Sequence, residues 1–162
     1  MNTLICFFDC LHDNRILRYC ADFASRTLHI DTQNEDGEKV SICFSGLFAH
    51  WFENMIQDNI LFGMDEISVD GFFELYKELL DRTISYGFPA CCSLQELNER
   101  MNQEKIRVFV IDASLGLCGF ILAQEVEIRC VRFGNKKIST RYYNALDDKN
   151  KLLPLLKEAA AS

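Results

Sequence analysis

Three short segments of this chain alternate apolar and polar residues with period two, and that pattern limits the fold more than any other feature. Leu28 and Ile30 alternate with His29 and Asp31, Val40, Ile42 and Phe44 with Ser41, Cys43 and Ser45, and Val126, Ile128 and Cys130 with Glu125, Glu127 and Arg129. Successive side chains of a strand point to opposite faces, so each segment is a strand with one buried and one solvated face. Ile16 to Phe23 and Thr27 to Thr32, separated by Ala24-Ser25-Arg26, form a hairpin, and the Asp36-Gly37 turn leads into a third antiparallel strand. Leu47 to Phe52 is dense in aromatics and fits a buried strand or a short helix, whereas Asn59 to Ile67 reads as a strand.

A different period follows. From Val69 to Tyr86, apolar residues recur at 72, 73, 75, 76, 79, 80 and 84, the 3.6-residue spacing of an amphipathic helix, which Gly87 and Pro89 then stop. Ser93-Leu-Gln-Glu96 fits a capping box opening a short helix that runs to about Gln103. Ile106 to Ala113 and Gly119 to Val131 read as two further strands, Ile138 to Tyr143 as another, and Lys151 to Ala160 as a C-terminal helix. The expectation is one α+β domain over residues 1–162: a mainly antiparallel sheet of about five to seven strands with one long central helix, a short second helix and a C-terminal helix. At 162 residues, with 49% hydrophobic and 25% charged residues, the chain has the material for one core.

No apolar run approaches the ~20 residues that span a bilayer, and Met1 to Phe8 lacks the basic leading region and cleavage site of a secretory signal. The eight cysteines show no C-x-x-C spacing, which points to reduced thiols, mostly buried, in a cytosolic protein. Net charge is −7, and residues 53–104 carry eleven acidic side chains against three basic ones. Such a chain repels the phosphate backbone, which disfavours nucleic acid as a partner and favours a basic one.

Catalytic candidates are weak. His12-Asp13 could couple an imidazole to a carboxylate, but neighbours on a strand point apart, so a structural role is expected. His29 lies on a polar strand face and His50 among aromatics, which leaves no clustered metal ligands. Cys91-Cys92 lacks a positioned base and reads as two small buried residues. Asp112-Ala-Ser114 with Gly116 and Gly119 matches no phosphate-loop pattern. No catalytic residue, cofactor or metal site is therefore expected. In contrast, Asp70, Glu74, Glu78 and Asp81 recur at four, four and three residues along one helix side, and Asp65 and Glu66 extend the stripe upstream. These six are the candidate partner-binding residues.

Leu11-His-Asp-Asn-Arg-Ile16, Val40-Ser-Ile-Cys-Phe-Ser-Gly46 and Asn59-Ile-Leu-Phe62 together resemble a group of bacterial immunity proteins of polymorphic toxin and contact-dependent growth inhibition systems. The similarity spans about residues 11–67, and Ile111 to Gly116 with Gly119 to Ala123 is similar to a later segment of the same group. The resemblance implies a cytoplasmic antitoxin that binds and occludes a cognate toxin domain without catalysis, and it assigns no contact residue. A small-molecule sensor with Phe44 to Phe52 lining an apolar pocket is the competing expectation, and a thiol enzyme using Cys91 or Cys92 with His12 or His50 is a third.

Overall fold

The computed structural model describes residues 9–131 and 139–143. Nine strands form one sheet in the order β4-β7-β6-β5-β1-β2-β3-β8-β9, and every adjacent pair is antiparallel. They are β1 (Arg15–Asp22), β2 (Thr27–Gln33), β3 (Lys39–Ser45), β4 (Ala49–Glu53), β5 (Asn59–Ile67), β6 (Arg107–Leu115), β7 (Cys118–Ala123), β8 (Glu125–Val131) and β9 (Ser139–Tyr143). Between β5 and β6 lie α1 (Val69–Leu75), α2 (Lys77–Thr83) and α3 (Leu94–Gln103). The fold is α+β with an antiparallel sheet, and the sheet has more strands than the five to seven expected. The expected C-terminal helix at Lys151 to Ala160 lies outside the described residues. No described helix is long and apolar enough to cross a membrane.

Strands β7 and β8 are joined by Gln124 alone, yet they stand second and eighth in the sheet. Only a sheet curled over on itself satisfies both facts. At the corner, the Gln124 N–H donates to the Ser45 carbonyl (3.0 Å) and the Phe48 N–H to the Leu122 carbonyl (2.8 Å). Residues 119–131, which read as one strand, therefore divide between two layers. Between those layers the inward residues of β2, β3 and β8 meet those of β5, β6 and β7, with the Phe44 and Phe109 rings 5.2 Å apart. The register explains the alternation: Leu28, Phe44 and Val126 form one inward row, and Ile30, Ile42 and Ile128 the next.

The helices cover the other face of the β4-β7-β6-β5 layer. Phe72, Leu80, Leu97 and Met101 pack there against Phe120 and Leu122, and the Phe72 ring meets Phe120 edge-on at 4.9 Å. Consequently β7 is buried on both sides, with Ile121 and Ala123 facing the inner layer, and its sequence runs Phe-Ile-Leu-Ala without alternation. Gly119 lets β4 approach it, because a Cβ there would stand 1.8 Å from the Trp51 carbonyl oxygen.

The long helix expected over Val69 to Tyr86 is instead α1, α2 and a 3-10 turn at Ile84–Tyr86. Tyr76 leaves helical geometry at φ −106° and ψ 20°, its ring held against Phe120 at 4.7 Å and Phe72 at 5.5 Å. The Thr83 hydroxyl donates back to the Leu79 carbonyl (2.9 Å), a bond that bends helices. Gly87, at φ 85°, caps the end as anticipated.

The two layers share a short seam, since β1 pairs with β5 only through Arg15–Ile60 and Ile16–Asn59 before an irregularity between Ile16 and Arg18. Two buried asparagines fix it. Asn14, 1% exposed, donates to the Cys10 carbonyl (3.1 Å) and the Thr32 hydroxyl (3.0 Å), and that hydroxyl donates to the Val40 carbonyl (3.0 Å). Asn59, 9% exposed, accepts at Oδ1 from the Leu117 N–H (2.9 Å) and the Ile56 N–H (3.1 Å), while its Nδ2 donates to the Ile56 carbonyl (2.7 Å). One side chain thus ties the 54–58 loop to the 116–117 turn. Asn59→Ala leaves the Leu117 donor unpaired in a buried site and is expected to cost about 2–3 kcal/mol in urea unfolding. A loss below about 0.5 kcal/mol, the scale of ordinary surface changes, would contradict this role.

Candidate functional site

The acidic side chains expected to share one stripe are separated by the fold. Asp65 and Glu66 are successive strand residues and face opposite ways. Asp65 pairs with Val110, whose side chain packs toward the helices, whereas Glu66 pairs with Phe109 of the inner core. Glu66 is also engaged, because the Arg107 guanidinium grips its carboxylate through Nε (2.8 Å) and Nη2 (2.6 Å) while lying 4.9 Å over the Phe109 ring. Glu66 therefore leaves the candidate set. Asp81 is paired with Lys77 at 3.2 Å, one turn away.

Asp65, Asp70, Glu74 and Glu78 are exposed and have no ion pair among the described residues. Asp70 and Glu74 line a shallow groove between α1 and α3 together with Phe73, Leu94, Gln95 and Asn98. Local chemistry sets this geometry. Ser68 caps α1 by accepting from the Gly71 N–H (3.0 Å), and Ser93 caps α3 by accepting from the Glu96 N–H (3.1 Å). The Glu96 carboxylate accepts from the Cys92 N–H (3.0 Å), one residue upstream of the Ser93 N–H that a regular capping box employs. Leu75, 62% exposed, adds an apolar side chain on the same helix. The α3 residues of the groove were not among the sequence candidates. The amphipathic spacing of 94–103 was their available signal, since it leaves Gln95 and Asn98 on the outer face while Leu97 and Met101 face inward.

A second surface lies where β1 and β4 face each other across the mouth of the curled sheet. Leu17, Tyr19, Met55 and Ile56 are all exposed and line a small cleft there, with the Tyr19 hydroxyl 3.1 Å from the Met55 sulfur. His50 sits beside it, 5.2 Å from Phe52 and stacked 6.4 Å from Phe23, and burial pushes its pKa below the ordinary 6.5.

The remaining candidates are scattered. His12 and Asp13 do pair, at 2.8 Å, contrary to the expectation for neighbours, because Asp13 adopts φ 62° and turns the chain out of strand geometry; both are exposed. The described cysteines are less buried than expected: Cys91 alone among them is buried, and Cys10, Cys20 and Cys92 are exposed. Cys20, Cys43, Cys91, Cys92 and Cys118 are free thiols. Burial raises the Cys91 thiol pKa, opposed by the Arg100 guanidinium 3.8 Å away, so this thiol is held protonated. His29 and Cys43 meet across strands at 3.7 Å on the solvated sheet face, a pairing that the spacing did not reveal. No group of three or more His, Cys, Asp or Glu among the described residues is arranged to hold a metal. The aromatics from Phe44 to Phe52 divide between faces: Phe44 fills the inner core, Trp51 packs on Phe88, and Phe52 borders the mouth. Phe44 and Trp51 thus belong to different cores.

No family model, no curated protein and no solved structure matches the chain.

The pH dependence of His50 has a definite sign. Its folded-state pKa lies below the unfolded value, so the folded form resists a proton that the unfolded chain accepts; its contribution is intact above the unfolded pKa and is lost as pH falls through the folded one. His50→Gln is expected to flatten the stability loss measured by chemical unfolding between about pH 7.5 and 5.5. An identical loss in both proteins would contradict the burial of this imidazole.

Proposed function

We infer that this protein acts by binding, as an immunity protein that neutralises a basic toxin domain in the cytoplasm by covering its active site. The observation that carries this reading is the set of exposed carboxylates at Asp65 on β5, Asp70 and Glu74 on α1 and Glu78 on α2, unpaired among the described residues. Coulomb attraction between such a face and a cationic groove accelerates encounter and selects the partner. An enzyme that holds an anionic substrate with lysines and arginines offers the complementary surface. The helices rest on a sheet buried on both sides, so the carboxylates are held on a rigid support, which lowers the ordering cost of association. Asp81 contributes less to this reading, because its charge is shared with Lys77.

The test has two parts. The C-terminal domain of a secreted protein encoded beside this gene should co-purify with the chain, and co-expression should protect cells from it. With that domain as ligand, Glu74→Lys with Glu78→Lys should slow association about tenfold at low salt and flatten its dependence on ionic strength. No complex and no protection would overturn the inhibitor reading, whereas unchanged association kinetics would overturn only the role of the acidic face.

A further inference from the structure

We propose that the groove between α1 and α3 seats an arginine side chain presented by a basic segment of the partner protein. The proposal rests on the inhibitor reading and names the chemistry by which that face would recognise its partner. The groove combines two features that a solvated helix face does not require. Its apolar part is Phe73 and Leu94, both accessible, and around it stand Asp70, Glu74, Gln95 and Asn98. Asp70 and Glu74 are one turn apart on α1, which brings their side chains onto one face about 5–6 Å apart at Cβ. A single planar guanidinium with five N–H donors can serve both carboxylates, while its three-carbon stem lies on Leu94 and its flat face on the Phe73 ring.

The amides of α3 add further acceptor oxygens to the groove. Gln95 gives one N–H to the Glu99 carboxylate (2.9 Å) and keeps its oxygen and a second N–H available. Asn98 Oδ1 already accepts from the Asn102 amide at 3.2 Å and retains a second lone pair. The positive end of α3 would oppose a cation, but the Ser93 hydroxyl already accepts from the Glu96 N–H, and the Glu96 carboxylate adds a negative charge there. Lysine fits less well, since a compact ammonium neither stacks on a ring nor bridges two carboxylates with a planar fork.

Hexa-arginine, hexa-lysine and hexa-citrulline peptides, titrated into the ¹⁵N-labelled full chain, test the assignment. Hexa-arginine should move the amide resonances of Phe73, Glu74, Gln95 and Asn98, hexa-lysine should bind more weakly, and hexa-citrulline, which keeps the shape without the charge, should not bind. Asp70→Asn with Glu74→Gln should weaken hexa-arginine about tenfold, the combined worth of two exposed charge pairs. Glu35→Gln with Asp36→Asn, an equal loss of charge on the exposed β2–β3 turn, should leave it unchanged. Shifts centred elsewhere, equal weakening by both double variants, or lysine binding as tightly as arginine would overturn the proposal. Arginine binding at the groove by a chain that recognises no toxin domain would retire the inhibitor reading and keep the groove. Undiminished toxin binding by Asp70→Asn with Glu74→Gln would retire the groove and keep the inhibitor.

Discussion

The burial of β7 on both faces is the constraint on which the rest of this structure depends. Phe120 and Leu122 require the helices on one side, and Ile121 and Ala123 require the β2-β3-β8 layer on the other. Burying four such side chains contributes on the order of 6–10 kcal/mol against leaving them in water. Neither cover can be removed without exposing a continuous apolar strand. The curl of the sheet, the one-residue passage at Gln124 and the close approach of β4 over Gly119 all follow from enclosing this strand.

The sequence made the solvated strands legible and concealed the doubly buried one. β2, β3 and β8 alternate because one of their faces meets water, and Asn59–Ile67 and Leu94–Gln103 fall where turn and capping residues place them. Continuous apolarity in β7 carries no face information, so Gly119 to Val131 reads as one strand although Gln124 redirects it into another layer. Alternation also cannot name the strand that lies opposite, which is why the pairing of β3 with β8 and the seam at Asn14 and Asn59 required coordinates. The break at Tyr76 is set by tertiary contact with Phe120, beyond the reach of helical periodicity.

The candidate site was legible in part for the same reasons. Helical spacing placed Asp70, Glu74 and Glu78 on exposed ground, but a strand turns successive residues to opposite faces, and so Asp65 and Glu66 part company. The engagement of Glu66 by Arg107, 41 residues away, has no signature in local sequence. The contribution of α3 to the groove was hidden because Gln95 and Asn98 carry no charge. In the folded chain, acidity and apolar surface meet where α1 and α3 lie side by side.

Two surfaces compete for the role of interface: the acidic helical layer and the apolar mouth between β1 and β4. Hydrogen–deuterium exchange of the chain, alone and bound to the toxin domain proposed as its partner, separates them most directly. An inhibitor working through its acidic face gains protection across α1 to α3, centred on residues 70–98, with the mouth unchanged. Protection centred on Tyr19, Phe52 and Met55, with the helices exchanging as in the free protein, would contradict it.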